Sequence, residues 1–114
     1  MATIEKFQPL VTLINVHVCK PEDQQQLADL LVEGVNTIYR HVPGFISASI
    51  HKSLDGVRVT NYAQYRSRED IDAVWSNPDV GAFAQKVGKF VESFDAHLYE
   101  VIEVATPDPE QQIS

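Results

Sequence analysis

The sequence of 114 residues contains little of what marks several large classes of protein. Its single cysteine, Cys19, cannot form a disulfide within the chain, which favours a reducing compartment. No apolar run approaches the roughly 18 residues that a membrane-spanning helix needs, and residues 1–6 do not follow the pattern of a signal peptide. These absences predict a cytoplasmic protein.

Positive charge is scarce as well. Nine Lys and Arg residues stand against 16 Asp and Glu residues, and the formal net charge is -7. Because a nucleic-acid backbone and an anionic membrane both attract clustered positive charge, we expect neither as a partner. The five glycines are isolated, and the sequence contains no Cys pair and no His-x-x-x-His spacing. We therefore expect no phosphate-binding loop and no metal site.

The residues that are present follow the pattern of one α+β domain of the ferredoxin-like type. Runs of apolar and β-branched residues predict four strands, and apolar residues at helical spacing predict helices that begin near Pro21, Ser67 and Pro78. The order is strand–helix–strand–strand–helix–strand, with the second helical segment broken before Pro78. The predicted strands are 9–18, 45–52, 57–66 and 96–104, the single domain core is about 9–105, and the flexible tail is 106–114.

One face of the predicted sheet has no cover. Two strand–helix–strand units joined by a turn at Asp55-Gly56 give a four-stranded antiparallel sheet with all helices on one side. The opposite side is half apolar, so we expect it to pack against a second copy in a homodimer. The residues expected on that face include Thr60, Tyr62, Ile46, Ala48 and Ile50.

Polar residues on a strand face that should be buried are the unusual feature of the sequence. Asn61 and Tyr65 share the helix-facing side of the third strand with apolar residues, and Asn15 and His17 do so on the first strand. A buried amide without a partner costs about 1–3 kcal/mol, so each needs a reason to be there. One reason is a bond to nearby backbone. The other, which the clustering favours, is a cavity between sheet and helices that binds a small molecule.

Further candidates for this cavity lie on the helices and at a strand end. Trp75, on the short helix, belongs either to the cavity wall or to core or dimer packing. Phe83 faces inward on the long helix, in a row that continues to Phe94. His17 either reaches the cavity or lies at a solvated strand end.

Three segments resemble the antibiotic biosynthesis monooxygenase family. They are His41-Val-Pro-Gly-Phe-Ile-Ser-Ala-Ser-Ile, Val59-Thr-Asn-Tyr-Ala-Gln-Tyr-Arg-Ser-Arg-Glu and Asn77-Pro-Asp-Val, and the order of elements agrees over about residues 10–104. The resemblance implies a ferredoxin-like protein of the dimeric α/β-barrel type. It also implies oxygenation of an aromatic polyketide anthrone to a quinone without flavin, metal or haem, so no cofactor is expected.

The resemblance also implies roles for individual residues. The family's Asn on the third strand and the Trp four residues later correspond to Asn61 and Tyr65, and an Asn on the first strand corresponds to Asn15. A Tyr and an Arg that some members place at the substrate correspond to Ile71 and Gln85. These two cannot perform the same chemistry, but the resemblance implies that they contact the substrate.

The implied mechanism needs a neutral, water-excluding cavity. Asn61 and Asn15 would donate hydrogen bonds to the oxyanion of the substrate, while Tyr65 and Trp75 would hold its rings between them. No strong base is evident in the sequence. Either the acidity of the substrate itself or His17 would serve.

Two other functions fit the same resemblance. One is a non-catalytic dimeric module that binds a small molecule or acts in stress responses, which the residues at 65, 71 and 85 favour. The other is haem binding or degradation, because haem-degrading relatives share the fold and a Trp at the position of Trp75. Their iron-binding His corresponds to Gln85 here.

Overall fold

The computed structural model describes residues 10–108 and confirms the predicted α+β, ferredoxin-like fold. The elements are β1 (Val11–Val18), α1 (Gln24–Thr37), β2 (Phe45–Lys52), β3 (Arg58–Tyr65), α2 (Arg68–Trp75), α3 (Pro78–Gly88) and β4 (Ser93–Tyr99). Short 3-10 turns precede and follow α1. The four strands form one antiparallel sheet in the order β2-β3-β1-β4.

Two side chains fix where the second and third helices begin. The Ser67 hydroxyl oxygen accepts a hydrogen bond from the Asp70 amide at 3.2 Å, and the same hydroxyl donates to the Asp70 carboxylate at 2.9 Å. The Asn77 side-chain oxygen accepts from the Asp79 amide at 2.8 Å, with Pro78 as the first residue of α3. These caps satisfy amides that the first turn of each helix leaves unpaired.

The last strand begins earlier and ends earlier than the sequence predicts. β4 pairs with β1 from Ser93 opposite Val18 to Tyr99 opposite Thr12, so its length is set by the partner strand. Phe94 therefore belongs to β4, and the prediction that it continues the inward row of the last helix is wrong. Residues 100–108 have no regular secondary structure. Pro9 and most of the predicted tail, residues 109–114, lie outside the described residues, so the flexibility of the tail stays a prediction.

The second strand presents a different face from the one predicted. Ala48 lies opposite Ala63 and Ile50 opposite Asn61, so both face the helices rather than the open side of the sheet. The cause is an irregularity between Phe45 and Ser47, which inserts one extra residue and resets the alternation of the strand. Thr60 and Tyr62 lie on the open face, as predicted.

The apolar interior consists of two clusters between sheet and helices. The first joins α1 and α3 to the sheet, and the second joins α2 and the start of α3 to the other end of the sheet. Ile38 and Tyr39 pack against both clusters. The first contains Cys19, Leu27, Ala28, Leu31, Val59, Phe83 and Val87, and the second contains Leu13, Ala63, Tyr65, Ile71, Val74 and Val80.

None of the helices within residues 10–108 is long and apolar enough to cross a membrane. The cytoplasmic location inferred from composition stays a prediction.

α1 and α3 pack closely together at Gly34. A Cβ atom there would lie 2.3 Å from Cζ of Phe83, which is far inside van der Waals contact. Gly34 therefore has a packing role that any side chain would disrupt.

We expect Gly34→Ala to lower the free energy of unfolding by about 1–3 kcal/mol, because Phe83 must move out of its packed position. The control is Gly81→Ala on the exposed surface of α3, where a Cβ would meet no atom within 4 Å. That substitution should raise the free energy of unfolding by about 0.5–1 kcal/mol through helix propensity. Urea denaturation measures both. Equal effects of the two substitutions would contradict the close packing.

Candidate functional site

A cavity of about 470 Å³ lies between the sheet and the helices α1 and α3. Its volume is in the range of sites that hold small molecules. All four strands contribute to its floor, through Asn15 and His17, Ile50, Asn61 and Phe94. The walls come from α1, from Tyr39, and from α3 and the residues that follow it. The remaining lining residues are Leu31, Val35, Phe83, Ala84, Val87, Gly88, Val91, Glu92 and Ser93.

Asn15 and Asn61 form the polar centre of this cavity. They lie directly opposite each other on β1 and β3, so their side chains emerge side by side on the helix-facing surface. The side-chain oxygen of each is buried and has no hydrogen-bond partner among the described residues. Both residues line the cavity, and each carries a buried side-chain oxygen whose hydrogen-bonding capacity the described residues leave unused.

Two other buried side chains, Thr12 and Gln64, also have polar atoms without a partner among the described residues. They lie opposite each other in the same strand pair, but their positions alternate with those of the two asparagines. They belong to the other face of the sheet and are not part of the cavity.

His17 is held in one tautomer at the floor of the cavity. Its Nδ1 lies 3.1 Å from the carbonyl oxygen of Val59, and because a carbonyl only accepts, Nδ1 carries the proton of this bond. In the neutral ring, Nε2 is then the nitrogen with a free lone pair. Burial lowers the pKa of His17, and the bond to Val59 opposes this shift. The ring is therefore a neutral proton acceptor near pH 7.

Aromatic rings form the apolar part of the wall. Tyr39 and Phe83 meet edge to face, with ring centroids 6.0 Å apart. Burial raises the pKa of Tyr39, so its phenol keeps the proton and remains a hydrogen-bond donor. Phe94 contributes a third ring that is 70% exposed.

The structure brings together four of the residues that the sequence suggested for the site. Asn15, Asn61, His17 and Phe83 all line the cavity. The alternative for His17, a solvated strand end, is wrong, because only 6% of the residue is exposed.

The other four predicted site residues lie outside the cavity. Tyr65 and Ile71 are buried in the second core cluster beneath α2, where Tyr65 packs edge to face against Phe45. Trp75 is 52% exposed on α2, and Gln85 is exposed on α3. Strand alternation places Tyr65 on the correct face, but α2 covers that end of the sheet and the cavity opens under α1 and α3.

Sequence reasoning missed Tyr39, and it missed Phe94 as a strand residue of the site. Tyr39 lies four residues after Val35 and eight after Leu31, so the helical spacing of these cavity residues contained a usable signal. Phe94 gave no such signal, because its row also continues the helical spacing of α3.

Charge is nearly absent from the cavity. Within the described part of the chain, its lining includes one carboxylate, Glu92, and no Lys or Arg. The residues 10–108 contain no group of three or more His, Cys, Asp or Glu side chains placed to hold a metal ion. Binding in the cavity therefore depends on apolar contact and neutral hydrogen-bonding groups.

Known proteins are similar to this chain in sequence and in fold. The family described as antibiotic biosynthesis monooxygenase matches residues 10–86. A tetracenomycin-F1 monooxygenase from Streptomyces glaucescens is 47% identical over 78 residues, which are 68% of this chain and 70% of that protein.

Two solved structures are similar as well. A monooxygenase from the gene ActVA-Orf6 of Streptomyces coelicolor, in complex with nanaomycin D, has a TM-score of 0.75 at 27% identity, over 88% of this chain and 93% of that one. SnoaB, a cofactor-independent oxygenase from Streptomyces nogalater, has the same fold with a TM-score of 0.71 at 13% identity, over 84% of this chain and 96% of that one.

The family match covers most of the domain and agrees with the order of the elements and with the relative at 47% identity. The chain therefore belongs to the antibiotic biosynthesis monooxygenase family, and the prediction of a monooxygenase is confirmed at the level of that family.

Proposed function

We propose that this chain oxidises an anthrone-like or hydroquinone-like aromatic polyketide to a quinone with dioxygen, without a bound cofactor. The observation that carries the proposal is the pair of amides Asn15 and Asn61 in the cavity lining, whose buried side-chain oxygens have no hydrogen-bond partner among the described residues. A relative named as a tetracenomycin-F1 monooxygenase, and a similar monooxygenase whose structure contains nanaomycin D as a ligand, support a polyketide as the substrate class.

The amide pair suits a substrate that begins as a phenol or enol and becomes an anion. The NH₂ group of either amide can donate a hydrogen bond to the oxyanion, and a side-chain oxygen that turns toward the ligand can accept one from the neutral hydroxyl. Because the cavity wall is mostly apolar, these bonds are stronger than they would be in water. A substrate that bonds to these oxygens supplies partners that they lack among the described residues, which recovers about 1–3 kcal/mol per group.

The reaction balances without an external reductant. Loss of a proton makes the anthrone carbon electron-rich enough to reduce dioxygen and to form a carbon–oxygen bond. Cleavage of the oxygen–oxygen bond then leaves a carbonyl on the ring, and the second oxygen atom departs as water. The two hydrogens of that water are those that the methylene carbon loses.

In this scheme His17 takes the first proton. Its free ring nitrogen, its neutral state and its place on the cavity floor suit the role of a general base. The bond from Nδ1 to Val59 fixes the orientation of the ring.

Asn61→Ala tests the proposed amide role. We expect the wild type to consume oxygen with the model anthrone dithranol above the buffer rate, and Asn61→Ala to lower kcat/KM about 100-fold, the usual effect of removing one oxyanion donor. The matched control is Asn36→Ala, an exposed amide on α1 that accepts from Arg40 at 3.4 Å. It should keep wild-type activity.

Two outcomes would count against the proposal. If the wild type only matches the buffer rate, the non-catalytic binding module becomes the better interpretation. If Asn61→Ala and Asn36→Ala are equally active, the cavity amides have no part in the reaction.

His17→Gln tests the proposed base, because glutamine keeps a donor for Val59 but accepts a proton poorly. We expect kcat/KM to fall about 100-fold or more. In the wild type, kcat/KM should decrease as the pH falls below the lowered pKa of His17, and this acid limb should be absent in the variant. An unchanged acid limb in His17→Gln would assign it to another group.

Titration of His17 also makes the free energy of unfolding depend on pH. In the unfolded chain His17 titrates near its ordinary pKa of about 6.5, whereas in the folded protein its pKa is lower. Between these values the unfolded state binds more protons, so the free energy of unfolding decreases as the pH falls through this window. Urea titrations over this pH range should show a shallower decrease for His17→Gln. A parallel decrease in both proteins would contradict the assignment.

We also propose that the chain forms a homodimer through the open face of the sheet. Thr12 and Gln64 on this face are buried, whereas Ile14, Val16 and Tyr62 are only partly buried and Tyr99 is 46% exposed. A half-apolar sheet face of this kind is typical of a protein interface.

Tyr62→Glu should shift the protein toward the monomer, because it places an unpaired carboxylate in the interface. The control is Val32→Glu on the outer surface of α1, where Val32 is 45% exposed and away from the sheet. Sedimentation velocity at micromolar concentration measures both variants. A wild type that sediments as a monomer would overturn the dimer.

The structure gives the haem alternative no support at the position that corresponds to the iron-binding His of the haem-degrading relatives. Gln85 is exposed on α3 and does not line the cavity.

A further inference from the structure

The cavity opens to solvent along one edge. Most of its lining residues are buried or half-buried, but five are exposed, and these five follow one another from the second half of α3 to the start of β4. We refer to them as the entrance. They are Ala84, Gly88, Glu92, Ser93 and Phe94.

Gly88 is the entrance residue without a side chain. Close packing does not explain why glycine occupies this position. A Cβ atom at Gly88 would meet no heavy atom within 4 Å. Gly34, by contrast, lies against Phe83. Gly44 has a φ of 83°, which favours glycine, whereas Gly88 ends α3 without a positive φ. The fold therefore accepts a side chain at Gly88, and the space that this side chain would occupy adjoins the way into the cavity.

We propose that Gly88 is a specificity-determining residue, which keeps the entrance wide enough for a planar ligand of several fused rings. A fused-ring molecule is rigid, so it cannot fold to pass a narrow opening as a flexible chain can. Phe94, 70% exposed at the same entrance, offers an apolar ring surface along which such a plane can slide. The choice of fused-ring ligands rests on the proposed function, in which the cavity holds the aromatic substrate.

The chain contains a matched control on the same helix. Gly81 is exposed on α3, and a Cβ there would also meet nothing within 4 Å, but Gly81 does not line the cavity. Gly81→Leu and Gly88→Leu therefore add the same side chain to the same helix and differ in whether it adjoins the entrance. Thermal unfolding establishes that each variant is folded before binding is measured.

The experiment measures binding of two probes, the tricyclic 1,8-dihydroxyanthraquinone and the single-ring 1,4-benzoquinone analogue duroquinone, by calorimetry. Gly88→Leu should weaken binding of the tricyclic probe about tenfold or more, as expected when one side chain obstructs a pocket. It should change the affinity for the single-ring probe less than about twofold. Gly81→Leu should change the affinity for either probe by no more than about twofold. Gly88→Ala should lie between the wild type and Gly88→Leu.

Three results would overturn the inference: equal affinity of Gly88→Leu and Gly81→Leu for the tricyclic probe, equal losses for both probes in Gly88→Leu, or no binding of the tricyclic probe by the wild type. Because the readout is affinity rather than turnover, it separates this inference from the proposed reaction. A wild type that binds the tricyclic probe in a Gly88-dependent manner but consumes no oxygen with dithranol would overturn the reaction alone.

Discussion

The antiparallel register between β1 and β3 determines where the polar groups of the site lie. It sets Asn15 opposite Asn61 and His17 opposite Val59, so the two amides meet side by side and the imidazole finds a carbonyl to bond. A slip of one residue would turn one strand's polar residues to the opposite face of the sheet and separate the pair. Buried Gln24 ties α1 to the neighbouring hairpin through the carbonyls of Ser53 and Arg58, at 2.9 and 3.0 Å.

The two core clusters lie toward different ends of the sheet, and only one of them borders the cavity. The cluster under α2 contains Tyr65 and Ile71, which are only 1% and 0% exposed. None of its buried residues lines the cavity. The cluster under α1 and α3 borders that cavity through Leu31, Phe83 and Val87. The cavity is also lined by Asn15 and Asn61, whose side-chain oxygens have no partner among the described residues. Buried polar atoms without partners destabilise a fold, and they are expected where a ligand supplies the missing bonds.

Much of the fold could be predicted from the sequence, because its signals are local. Ser67 and Pro78 mark helix starts through chemistry that depends only on adjacent residues. The polar faces of β1 and β3 also followed from alternation. Which helix covers which part of a face is a long-range property. For that reason strand alternation alone predicts Tyr65 at the site, although it lies under α2. The wrong prediction of which face of β2 meets the helices has a similar origin. Nothing in the composition of β2 indicates the extra residue before Ser47.

The position of Cys19 in the first cluster limits the reactivity of its thiol. Only 2% of the residue is exposed, and burial, with the nearby carboxylates of Asp23 and Glu92, raises the pKa of its thiol. Oxidation of cysteine proceeds through the thiolate, so a protonated and inaccessible sulfur reacts slowly. In a monooxygenase, partially reduced oxygen species can escape from unproductive cycles. The buried thiol of Cys19 is thus expected to be oxidised only slowly by such species.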